Sequence, residues 1–67
     1  MSVTVNGIRR ELPASCATVA DLVRELNLEG KRIAVERNGA IVPRSRYAEC
    51  ALERGDRLEI VGAVGGG

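Results

Sequence analysis

The residues with the clearest chemical potential in this 67-residue chain are Cys16, Cys50 and the closing run Gly65-Gly66-Gly67. There is no histidine. That removes Ser-His-Asp and Cys-His catalysis, imidazole zinc ligation and the usual proton shuttle near neutral pH. The two cysteines permit at most one disulfide and form no Cys-x-x-Cys pair. A plant-type iron–sulfur cluster needs four thiolates, so that use is excluded. Both cysteines therefore read as small, mostly buried, reduced side chains. No catalytic set and no metal set is expected.

What remains is the carboxylate at the end of the chain, a reactive group that needs no side chain. To be used it must reach another protein's active site. Gly65, Gly66 and Gly67 form a strand without Cβ atoms, able to thread a channel where a larger residue would clash, and they have no rotamer freedom to lose on entry. Their backbone groups stay free to pair with a channel wall, as in strand addition. Val64 would enter the same channel behind them.

The elements that must carry this tail follow from local patterning. Ser2 to Asn6 alternates, with Val3 and Val5 on one face, and Asn6-Gly7 is the dipeptide of a type I′ hairpin turn. Ile8 to Leu12 is the return strand, and its Arg9-Arg10-Glu11 stretch suits a sheet edge. Thr18 with Asp21 is a capping-box variant before Val19, Leu22, Val23 and Leu26, which predicts a helix from about Val19 to Leu28, stopped by Gly30. Asp21, Arg24 and Glu25 should then face water. Ile33 to Arg37 and Ala40 to Val42 flank a second Asn-Gly pair, Asn38-Gly39. Ser45 to Cys50 is turn-like, with Tyr47 or Leu52 presented to the core. Arg57 to Val61 is a last strand, with Leu58 and Ile60 on one face.

Hairpin, helix, hairpin and single strand predict an α+β fold, a mixed sheet with one main helix packed across it and the last strand in the middle beside the first. This is the β-grasp, or ubiquitin-like, arrangement. One domain fills the chain, with a folded body over 1–61 and a mobile glycine-rich tail over 62–67. A chain of this size buries roughly 60% of its surface, and with no Phe or Trp and one Tyr its core must come from Val, Leu, Ile and Ala. Ten basic and nine acidic residues give a net charge of +1, without the positive field that nucleic-acid binding requires. No run reaches transmembrane length and no signal segment is evident, so the expectation is a cytoplasmic protein bound neither to membrane nor to nucleic acid.

Asn38-Gly39-Ala40-Ile41-Val42-Pro43-Arg44, Tyr47, Gly55-Asp56-Arg57-Leu58-Glu59-Ile60-Val61 and the closing Val64-Gly65-Gly66-Gly67 resemble the ThiS-type sulfur carrier proteins of thiamine biosynthesis. The resemblance spans the whole chain. It implies that an E1-like adenylyltransferase, similar to ThiF and using ATP with Mg²⁺, activates the Gly67 carboxylate as an adenylate. Sulfur from a cysteine desulfurase would then make a Gly67 thiocarboxylate, delivered to a thiazole synthase similar to ThiG. On this reading the chain binds no cofactor of its own and is a protein cosubstrate, not an enzyme. Relatives often carry an aromatic residue shortly before the glycines, whereas this chain has Ala63-Val64. The resemblance therefore implies that Val64 and exposed apolar residues of the sheet share the docking role. Arg44, Arg46, Arg54 and Arg57 read as a solvated surface partly neutralised by Glu49, Glu53 and Asp56. Alternatives stay open: the small subunit of molybdopterin synthase or another sulfur carrier with the same chemistry, a ubiquitin-like modifier, or a β-grasp binding module with an inert tail.

Overall fold

Both Asn-Gly dipeptides close hairpins in the computed structural model, which describes residues 1–62. Strand β1 (Ser2–Val5) turns through Asn6 and Gly7 into β2 (Ile8–Glu11), and β3 (Ile33–Arg37) turns through Asn38 and Gly39 into β4 (Ala40–Val42). All four turn residues have positive φ, as a type I′ turn demands. β5 (Arg57–Gly62) completes a five-stranded sheet in the order β2-β1-β5-β3-β4. It runs parallel to β1 and antiparallel to β3, so the last strand lies at the centre with a neighbour on each side.

Between the hairpins, α1 (Val19–Glu25) starts at the expected capping box. The Thr18 hydroxyl accepts from the Asp21 amide at 3.2 Å, and Asp21 Oδ2 accepts from the amides of Thr18 at 3.1 Å and Ala17 at 3.0 Å. Bending back to make these bonds half-buries Asp21, which was expected to face water like Arg24 and Glu25. The bond from Ala17, then those from Thr18 and the charge of Arg24, hold its carboxyl below the usual range despite some desolvation.

The helix is shorter than its apolar stripe. It ends at Glu25 because Asn27, not Gly30, takes the left-handed conformation, with φ of 60°. The Leu28 amide then donates to the Val23 carbonyl at 2.9 Å and the Asn27 amide to the Arg24 carbonyl at 3.0 Å. These two bonds are the Schellman closure, here with asparagine in the place glycine usually takes. Gly30, with φ of 81°, serves a second turn further on.

Val19, Leu22 and Val23 of α1 pack on Val3, Val5, Val35, Leu58 and Ile60, the residues that alternate toward one face of the sheet. Leu22 and Leu58 lose essentially all contact with water. Truncating either to alanine is worth about 2–5 kcal/mol in a core of this kind. A 3₁₀ turn at Arg44–Arg46 drops both Tyr47 and Leu52 into the same core. The return strand β2 stops at Glu11, one residue before its expected end, and Leu12 turns inward to be buried instead. β5 continues one residue beyond the expected Val61, since Gly62 pairs with Ile33. The other five positions of the expected tail, 63–67, lie outside the described residues.

Candidate functional site

β5 leads directly to the tail, so what holds β5 determines where any terminal chemistry is presented. Two asparagines grip it. The Asn6 side chain accepts from the Ile60 amide at 2.7 Å and donates to the Ile60 carbonyl at 3.0 Å, while its own amide donates to the Leu58 carbonyl at 2.8 Å. Asn38 does the corresponding work at the start of the strand. Its Oδ1 accepts from the Arg57 amide at 2.9 Å, and its backbone amide donates to the Arg57 carbonyl at 2.7 Å. Both turns thus reach sideways onto the strand that neither hairpin contains.

Beneath Asn38 sits Asp56, the only buried charged side chain among the described residues. Its Oδ1 accepts from Asn38 Nδ2 at 3.0 Å, and its Oδ2 accepts from Arg37 Nε at 2.7 Å and from the Glu53 amide at 2.8 Å. Burial pushes the carboxyl up, but the bonds from Arg37, Asn38 and the Glu53 amide outweigh it and hold Asp56 below the usual carboxylate range. Asp56 was expected among the surface charges that neutralise Arg54 and Arg57. It is instead the anchor of the β5 entry, because the turn at Gly55 aims it inward under Arg37. Arg46 does pair with Glu49, at 3.5 Å.

The sheet face away from α1 carries Ala34, Glu36, Ile41, Glu59 and Val61, which alternate with the core positions. Ile41 and Val61 are 70% and 59% exposed, and they are exposed apolar residues of the sheet of the kind expected. Glu36 and Glu59 are direct cross-strand neighbours. The third exposed large apolar residue, Ile8, lies on the helix side, in a groove of about 460 Å³ that also reaches Gly62.

Of the expected site residues, Val64, Gly65, Gly66 and Gly67 lie outside the described residues; the structure places the strand that leads to them. Asn6, Asn38, Asp56 and Arg37 were not singled out from the sequence. The asparagines were legible only as turn formers, and their amides' further partners are set by a strand more than fifty positions away for Asn6. Both cysteines are unpaired, with Cys16 buried and Cys50 half-buried. Desolvation, with the nearby charges of Asp21 and Glu25, raises the Cys16 thiol further above neutrality and makes it a poor nucleophile. Among the described residues no group of three or more His, Cys, Asp or Glu side chains is placed to hold a metal ion, and no helix is long and apolar enough to cross a membrane.

The model of the ThiS family matches residues 3–67. A sulfur carrier protein ThiS of Bacillus subtilis is 40% identical over 63 residues, which are 94% of this chain and 96% of that protein. A thiazole synthase of Paramagnetospirillum magneticum is 48% identical over all 67 residues, but the chain spans only 20% of that protein's length. Among solved structures, the crystal structure of a thiamine biosynthesis protein (ThiS) from Geobacter metallireducens superposes with a TM-score of 0.84 at 28% identity, each chain covered in full.

Proposed function

The chain belongs to the ThiS family, and from that premise we propose that it is a sulfur carrier of thiamine biosynthesis whose working group is the Gly67 carboxyl. The observation that carries this reading is the position of β5: the strand leading to the glycines is the central one, gripped at both ends by side chains of the two turns. A body built this way holds the base of its tail still while the tail is worked on elsewhere. It supplies the acyl group and the recognition surface, and its partners supply the catalytic residues.

The carboxylate oxygen attacks the α-phosphate of ATP in an E1-like adenylyltransferase, with Mg²⁺ supplied there, and pyrophosphate leaves. The acyl adenylate replaces a poor leaving oxygen with AMP. The outer sulfur of a persulfide, charged by a cysteine desulfurase, then attacks the acyl carbon and expels AMP. Attack by a thiol on the inner sulfur of the resulting acyl disulfide releases the thiocarboxylate, and the thiol ends in a disulfide. A thiazole synthase receives the sulfur. That partner is suggested by the thiazole synthase of Paramagnetospirillum magneticum, which matches this entire chain along part of its own.

Intact-mass measurement tests the proposal. After incubation with an adenylyltransferase of the ThiF type, ATP, Mg²⁺ and a persulfide donor, the chain should gain the difference between sulfur and oxygen, and the same chain lacking Gly66 and Gly67 should not. An unmodified chain under conditions in which the enzyme adenylates another carrier would overturn it.

A further inference from the structure

The early end of α1 leaves a groove open on the helix side of the sheet. Because Asn27 stops the helix after seven residues, α1 does not extend over β2. All four β2 residues are exposed, including the two, Ile8 and Arg10, that line the groove on the core side of the sheet. Leu26, Leu28 and Ile33 complete an apolar floor with Ile8, which is 64% exposed. Arg10, Lys31 and Arg32 stand around it. None of these three cations forms an ion pair among the described residues, as is also true of Arg9, Arg44, Arg54 and Arg57, and what sets the three apart is their place around one apolar floor. The opposite sheet face is mixed, with Glu36 and Glu59 side by side and Arg57 next to them. Gly62, the last described residue of β5, lies on the groove's wall, so whatever receives the tail is brought to this surface.

We propose that this groove docks an acidic, apolar segment of the thiazole synthase, its apolar side chains seated on Ile8 and the leucines and its carboxylates paired with Arg10, Lys31 and Arg32. The inference rests on the sulfur-carrier reading, and on the thiazole synthases that match this whole chain along part of their own length, for the identity of the partner, and on the floor and the three cations around it for the chemistry. Paired charges at the rim of an apolar seat steer encounter and fix register, and their removal shows in salt dependence as well as in affinity.

The test is the affinity of the full chain for purified thiazole synthase at two salt concentrations. Three proteins are compared: the wild type, a variant with Arg10→Glu, Lys31→Glu and Arg32→Glu, and a control with Arg9→Glu, Arg46→Glu and Arg54→Glu that changes net charge equally. Circular dichroism and melting establish that both variants fold. The groove variant should bind at least about tenfold more weakly at low salt and gain affinity as salt rises, the reverse of wild type, because its new carboxylates repel those of the partner, while the control stays within about threefold of wild type. A milder variant, Ile8→Ser, should weaken binding without altering the salt dependence. Equal loss in groove variant and control overturns the proposal. So does a change in the carrier's own oligomeric state on groove reversal, which assigns the groove to a second copy. A wild-type chain that acquires a thiocarboxylate yet does not bind the synthase overturns the groove and leaves the carrier reading standing. Absence of the thiocarboxylate with groove-dependent binding does the reverse.

Discussion

The Asn6-Gly7 and Asn38-Gly39 turns share a dipeptide and a backbone, with φ of 51° and 82° in one and 52° and 88° in the other. They nevertheless hold β5 by different means. Asn6 closes a purely neutral pair of bonds on Ile60, two residues before Gly62. Asn38 bonds to the Arg57 amide and to Asp56, so it belongs to a charged cluster with Arg37. One clamp guards the exit of the central strand and the other its entry. The difference teaches that a local signal specifies the turn, while the third strand passing beside it specifies what the turn does.

The largest effect is expected at the charged end. Asp56→Ala leaves the Arg37 guanidinium, the Asn38 amide and the Glu53 N–H without their acceptor, and should cost about 3–5 kcal/mol by urea unfolding. For a body this small that approaches the whole of its stability. A loss no larger than that of Asn6→Ala would mean that the entry clamp is no stronger than the exit clamp. Next come Asn38→Ala and Asn6→Ala, each forcing alanine into a left-handed conformation and deleting two side-chain hydrogen bonds, for about 2–3 kcal/mol apiece. In double-mutant cycles Asn38 should couple to Asp56 while Asn6 adds independently. Coupling of Asn6 to Asp56 would erase the distinction between the two turns.

The acid limb of stability separates them further. The folded carboxyl of Asp56 lies below its unfolded value, so its contribution is complete above about pH 4 and is lost as pH falls through the folded value. Unfolding midpoints measured from pH 7 to pH 2 should drop steeply at the acid end for wild type and less so for Asp56→Asn. Asn38→Ala, which removes one of the bonds lowering that carboxyl, should move the drop to higher pH, whereas Asn6→Ala should leave it in place.

Asn27 supplies a ruler for both. It also has positive φ but clamps no strand, so Asn27→Ala should cost only the conformational part, about 1–2 kcal/mol in thermal melts. The excess at Asn6 and Asn38 then measures their side-chain bonds. Smallest of all is Gly62→Ala. A Cβ there meets nothing within 4 Å and the backbone is not left-handed, so the melting temperature should stay within a degree or two of wild type. A larger loss would place a demand of the fold on this residue.

What was legible in the sequence was whatever depends on a few neighbouring residues. The two hairpins, the Thr18–Asp21 cap and the central place of β5 followed from turn chemistry, alternation and element order. The end of α1 was misplaced because Leu26 and Leu28 continue the apolar stripe, and the stripe does not reveal that Asn27 is the residue to turn left-handed. Asp56 was misread for a related reason. A carboxylate after a glycine looks like surface, and only the arrival of Arg37 from another strand makes its burial tolerable. The groove escaped notice altogether, since it exists where the helix fails to reach, and no residue pattern marks a missing cover. The tail glycines were conspicuous in the sequence, and Gly65, Gly66 and Gly67 lie outside the described residues.

The parallel pairing of β5 with β1 has a mechanical consequence. On the proposed function an enzyme would draw the tail into a channel, and a pull along β5 would strain its ladders to β1 and β3 together in shear instead of opening them bond by bond. The first hairpin would respond otherwise, because Met1 and Leu12 lie together at its open end and are tied by mutual hydrogen bonds. Force applied between Met1 and the tail should therefore meet a higher rupture threshold than force applied between Met1 and Leu12 in single-molecule stretching. A body held this way tolerates load on the strand that leads to its end without coming undone.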